Sequence, residues 1–162
     1  MPNARRFALS ALLLGGSAAL AALVVAISTP RYAGARVPAA AELPWPAGAR
    51  DSDRRLPFVL LYVDSHCGHC SRAAVLVDSI ASAHALRALI VSKDSVADAE
   101  GYRHRLALSR PVTRDSSATL LRALGTRSVP TLVLFHRDGS RELIVGFRND
   151  ALYRRALDGI DR

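Results

Sequence analysis

Cysteine is scarce. Two occur in 162 residues, Cys67 and Cys70. Cysteines that staple a secreted domain usually lie far apart, because closing a long loop restrains the unfolded chain more. A pair three positions apart closes almost nothing, which points away from stapling and toward chemistry. Histidine is missing from position 71, where Ser71 stands. This excludes c-type haem attachment, which needs CxxC followed directly by histidine. Lysine is nearly absent: Lys93 stands alone among arginines, a compositional bias that carries little chemistry. The net charge of +8 would let a basic surface touch anionic lipid or nucleic acid. No basic run, aromatic platform or nucleic-acid motif accompanies it, so nucleic acid is not an expected partner. There is no internal repeat and no low-complexity tract.

Charge is also missing from Phe7 to Ile27, FALSALLLGGSAALAALVVAI. As a helix this stretch is roughly 30 Å long, the thickness of a bilayer core. Arg5 and Arg6 precede it, so the positive-inside rule keeps the N-terminus in the cytoplasm and exports the rest. The expectation is a transmembrane anchor over 1–29, held in the bilayer through residues 7–27. The rival is a cleaved signal peptide, with Ala33-Gly34-Ala35 as a small-x-small site. The apolar run is longer than a usual signal core, and Pro30 and Arg31 intervene. Either way, the remaining chain is expected to work outside the cytoplasm: on the outer side of a cytoplasmic membrane, in a periplasmic or other extracytoplasmic space. Five prolines from Pro30 to Pro57, mixed with alanine and charge, read as an extended tether over 30–55. Leu43 and Trp45 could pack on the domain.

The domain is expected over 56–162. FVLLYV (58–63), LRALIVS (86–92) and TLVLFH (131–136) read as buried strands. Helices are expected over 72–85, 96–108, 116–124 and from the Asn149 cap to Ile160. Gly125 is placed as a C-terminal stop. Pro111 to Thr113 is a short extended piece. Asp138-Gly139 is a hairpin signal leading into the return strand 141–147. The alternation predicts an α/β domain, a central mixed sheet with helices on both faces and an antiparallel edge.

Cys67-Gly68-His69-Cys70 falls between a buried strand and a helix. Two thiols at this spacing can close a disulfide within one helical turn. A cysteine at the helix N-terminus meets free N–H groups and the dipole, which favour the thiolate. The thiolate attacks a partner disulfide, and the second thiol displaces the mixed disulfide. An imidazolium at His69 would stabilise the Cys67 thiolate and make the disulfide more oxidising. Val129-Pro130-Thr131 precedes the third strand. Proline is tolerated at a strand start. The functional alternative is a cis proline facing the cysteines, with the Val129 backbone free to pair with an extended substrate.

FVLLYVDSHCGHC followed at a distance by GTRSVPTLVLFHRDGSRELIVGF resembles the thioredoxin superfamily. The intervening segment, with RPVTRDSSATLLRALG, is similar to membrane-anchored TlpA-like thiol–disulfide oxidoreductases. The resemblance covers roughly residues 56–162. It implies Cys67 as nucleophile, Cys70 as resolving thiol, Pro130 as the cis proline, and a substrate surface at Gly68, Val129 and Pro130. The Gly68-His69 dipeptide is similar to that of protein disulfide isomerases. Two positions depart from the family. His66 stands where many relatives carry tryptophan. Leu61 stands where many reductants carry a buried acid that aids proton transfer to the resolving cysteine. Asp64 could replace that acid but reads as a solvated strand-end residue.

No bound cofactor is expected, since the electrons reside on sulfur. The expected partners are protein thiols and disulfides, and a membrane electron-transfer protein that resets the pair. Two rivals remain. His66, Cys67, His69 and Cys70 could serve a copper- or zinc-binding chaperone of the same fold, and the fold could also serve as a non-catalytic binding module. The direction of electron flow stays open: His69 leans toward oxidation or isomerisation, the TlpA-like resemblance toward reduction.

Overall fold

The structure is a computed structural model that describes residues 37–160. The expected anchor and the first part of the tether lie outside the described residues. Among the described residues, no helix is long and apolar enough to cross a membrane.

The apolar runs form the sheet. β1 (Phe58–Val63), β2 (Arg87–Ser92), β3 (Val112–Arg114), β4 (Thr131–Phe135) and β5 (Arg141–Val145) stand in the order β3-β2-β1-β4-β5. β2 runs parallel to β1 and to β3, whereas β4 is antiparallel to both β1 and β5. Every residue of β1 is buried, as a central strand covered on both faces requires. Its side chains alternate between two cores. Val59, Leu61 and Val63 point to one core, with Cys70, Tyr102 and Tyr153. Phe58, Leu60 and Tyr62 point to the other, with Leu120, Leu124 and Phe135.

Among the described residues, four helices cover the faces: α1 (Gly68–Ala83), α2 (Val96–Arg105), α3 (Thr119–Ala123) and α4 (Asp150–Asp158). α1, α2 and α4 supply the first core, and α3 the second. α1 begins four residues earlier than the apolar pattern indicates, because the cysteine motif is itself the first turn. Three other helix boundaries differ for a shared reason. Ala85, Ala107 and Ala118 take left-handed φ near +52°, which closes α1 and α2 early and delays α3. Glycine or asparagine would signal such a turn; alanine does not. At Gly125 the expected stop is present, with φ of 72°.

Residues 37–55, which read as tether in the sequence, lie against the second core. Val37 and Leu43 are buried. Trp45 meets Phe58 at 5.9 Å and Phe135 at 6.4 Å, ring centre to ring centre. These two phenylalanines stack at 4.3 Å across the β1–β4 pairing. The indole N–H of Trp45 donates to the Ala40 carbonyl at 2.6 Å, so burying the ring leaves no polar atom stranded. Two short 3₁₀ turns, Ala40–Glu42 and Asp51–Arg54, shape this segment.

Candidate active site

β1 ends at Val63 and the chain turns before α1. Asp64 builds that turn. Its carboxylate accepts the His66 backbone N–H at 2.9 Å, and its carbonyl accepts the Cys67 N–H at 3.1 Å. Lys93 approaches the other carboxylate oxygen at 3.4 Å. Asp64 is therefore a half-buried turn former and not the solvated strand-end residue that the sequence indicates. Asp94 fixes the next residue by accepting the Ser65 N–H at 2.7 Å. Burial of Asp94 favours its neutral form, but hydrogen bonds from Ser92 and Ser65 outweigh it and hold the carboxyl below its ordinary range.

The turn delivers Cys67 to the N-cap of α1, in extended backbone geometry. Its sulfur accepts the Cys70 N–H at 3.3 Å, and its carbonyl accepts the N–H groups of Cys70 and Ser71 at 3.0 and 3.3 Å. A sulfur in the cap position faces the unpaired N–H groups of the first turn. Both cysteines are free thiols. Their surroundings differ. Cys67 is half-buried, whereas Cys70 is 0 % exposed. Burial pushes the Cys70 thiol well above its ordinary value; the neighbouring Cys67 sulfur adds to this, and a hydrogen bond from the Asp64 backbone opposes it.

The Val129–Pro130 bond is cis. β4 pairs with β1 from Thr131, opposite Tyr62, so Pro130 lies at the end of β1 from which the cysteine turn departs. Val129 and Cys67 both pack on the first core, and the Val129 backbone lies before the β4 ladder begins. Gly68 is exposed, and a Cβ there would meet nothing within 4 Å. His69 is exposed on the first turn of α1. Leu61 is fully buried in the same core as Cys70, so an apolar side chain occupies the place where the family resemblance puts an acid.

His66 is brought to Asp64 and Asp94, their ligand atoms within 4.8 Å of one another, and not to the cysteines. The metal set conceivable from the sequence is thus divided. A cavity of about 790 Å³ lies by Trp45, Val96 and Thr113 and is lined by no cysteine. A groove of about 410 Å³ starts at Ser71 and Arg72, beside the cysteine turn, and runs past Val75 to Leu106 and Arg154. Sequence reasoning passes over Tyr102, which α2 places in the core around Cys70. Its position as an apolar-facing aromatic in a polar helix is the available signal.

A five-stranded mixed sheet, helices on both faces, a CxxC turn after the central strand and a proline before the antiparallel strand define a thioredoxin-like α/β fold. Solved structures of thiol–disulfide oxidoreductases share it. A thiol:disulfide interchange protein of the thioredoxin family from Chlorobium tepidum matches with a TM-score of 0.55 at 17 % identity, over 64 % of this chain and 78 % of its own. A secreted Mycobacterium tuberculosis disulfide oxidoreductase matches at 0.55 and 15 %, over 63 % and 80 %. The exposed lipoprotein thioredoxin of Streptococcus pneumoniae matches at 0.53 and 25 %, over 62 % and 82 %. No family model matches the chain, and no curated protein does.

Proposed function

We propose that the chain is a thiol–disulfide oxidoreductase that exchanges a Cys67–Cys70 dithiol or disulfide with protein substrates. The observation that carries the reading is the asymmetry of the pair. Cys67 sits at a helix N-terminus with its sulfur accepting a backbone N–H at 3.3 Å, while Cys70 is enclosed in the core. Access and its place at the start of α1 make the first sulfur the nucleophile. The second is reachable only from within, which suits it to displace a mixed disulfide already formed on Cys67. Val129, Pro130 and the open surface at Gly68 receive the substrate segment. Domain placement outside the cytoplasm, an anchor through residues 7–27 and a membrane redox partner complete the proposal. It is supported by the uncharged N-terminal run and by the pneumococcal lipoprotein thioredoxin, the 25 % identical neighbour.

The test is turnover in insulin reduction and in dithiol oxidation. Cys67→Ser is expected to abolish both; wild-type turnover in that variant would overturn the assignment. Equilibration with glutathione then fixes the direction. A potential near −120 to −180 mV marks an oxidant or isomerase, and one near −270 mV a reductant. His69→Pro is expected to make the couple more reducing, and an unchanged potential removes His69 from the chemistry.

A further inference from the structure

β1 and β5 are both antiparallel to β4, so they run the same way. α1 follows β1 and α4 follows β5, and both helices therefore start from the same end of the sheet. Their first turns are joined. Arg72 pairs with Asp150 at 3.1 Å, and its guanidinium lies 5.4 Å over the Phe147 ring. Ser71, Val75 and Ser79 follow one another at single-turn spacing along α1 and line the groove of about 410 Å³. Leu106, at the end of α2, and Asp150 and Arg154, on α4, line it too. The groove opens at the redox turn itself, because the Ser71 N–H donates to the Cys67 carbonyl at 3.3 Å.

Two of its residues are uncommitted within the chain. Three large apolar side chains are exposed among the described residues, and Val75, 45 % exposed, is the one on the helix that carries the cysteines. Arg154 is exposed and has neither an ion pair nor a hydrogen bond among the described residues. Arg72 already neutralises Asp150, so Arg154 leaves the groove with a net positive charge. Arg154 lies one turn beyond Asp150 on α4, as Val75 lies one turn beyond Ser71 on α1. The rise from Cys67 to Val75 is about 12 Å, which an extended chain covers in about four residues.

We propose that this groove is a specificity subsite for the partner protein's segment that flanks its reacting cysteine. It takes an apolar side chain against Val75 and a carboxylate against Arg154, with the carboxylate about four positions from that cysteine. The proposal rests on the dithiol-exchange reading of the site and names the substrates it favours: disulfides with an acidic flank. Val129 and Pro130 do not line the groove, so it holds a different part of the segment from the part that pairs beside the cysteines. Arg154 acts on binding and takes no part in the sulfur chemistry. An exposed ion pair is weak. Replacing a carboxylate by an ammonium turns attraction into repulsion, and that difference sets an expected discrimination of about tenfold.

The test uses the full chain and two peptide disulfides that differ only at the fourth residue from the reacting cysteine, Glu in one and Lys in the other. The wild type is expected to prefer the Glu peptide about tenfold in kcat/KM at low salt, through KM, and the preference should shrink as salt screens the pair. Arg154→Gln should remove the preference and Arg154→Glu should invert it, which a merely structural arginine would not do. The same ratio in wild type and Arg154→Glu overturns the proposal even if exchange proceeds. Binding is read separately, by the amide NMR shifts of Val75, Ser79 and Leu106 on adding each peptide with its cysteine replaced by serine. Larger shifts there with the Glu peptide, in a chain that exchanges no disulfide, would keep the groove and sink the exchange reading instead. No shifts and no exchange would sink both.

Discussion

The two faces of the sheet are built on the same alternating strand but treat their polar groups differently. On the face of Phe58, Leu60 and Tyr62, the buried polar network is closed. Tyr62 donates to Asp115, and the same carboxylate accepts the N–H groups of Thr119 and Leu120 at 3.1 and 2.9 Å, starting α3. Aromatic packing seals this face. On the face of Leu61, a thiol is enclosed and a phenol is left without a hydrogen-bond partner. Unsatisfied polar groups are costly, and sites of chemistry are where folds tolerate them. The contrast separates a face closed by its own hydrogen bonds from the face that carries Cys70.

Breaking the closed face should give the largest effect. Phe135→Ala removes one half of the Phe58 stack and the floor under Trp45, and should cost about 3–5 kcal/mol in urea unfolding. The cysteine chemistry of the remaining folded protein should be unchanged. A loss of exchange out of proportion to unfolding would mean that the faces are not separable.

A smaller effect is expected where α1 is fastened to the chain beyond α2. Asp78 accepts the Ser109 N–H at 2.8 Å and pairs with Arg110 at 3.0 Å. Burial raises its pKa, yet these hydrogen bonds and the guanidinium prevail and hold it below the ordinary 3.8. A carboxyl depressed in the folded state contributes stability that is present above the unfolded value and lost as pH falls through the folded one. Asp78→Asn should therefore cost about 1–3 kcal/mol at neutral pH, and the gap to wild type should narrow in acid. A gap that stays constant down to the acid transition would contradict the assignment.

The smallest effect sharpens the comparison most. Tyr62→Phe should cost about 1 kcal/mol by depriving Asp115 of a donor. Tyr102→Phe should cost nothing, or stabilise, because no bond is lost. Equal losses in urea unfolding would erase the difference between the faces.

Much of this is legible in the sequence, for identifiable reasons. Apolar runs announce buried strands, and FVLLYV marks β1 to the residue. The CxxC turn and the Val129-Pro130 pair are visible because few other roles suit those residues at those places. What escapes depends on contacts distant in sequence. The prolines of 37–55 read as a linker, since nothing local says that Trp45 will find Phe58 and Phe135. The ends of α1 and α2 and the start of α3 are displaced because alanine occupies left-handed positions. Tyr102 is only faintly marked, as an aromatic in a polar helix, and nothing local says that its ring enters the core that holds Cys70.

The central claim is that Cys67 attacks and Cys70 resolves. Its most direct measurement is mass spectrometry of Cys70→Ser after brief exposure to a peptide disulfide. A stable adduct mapped to Cys67 is the expected result. Absence of any adduct on Cys67, with the wild type equally unreactive, would contradict the account.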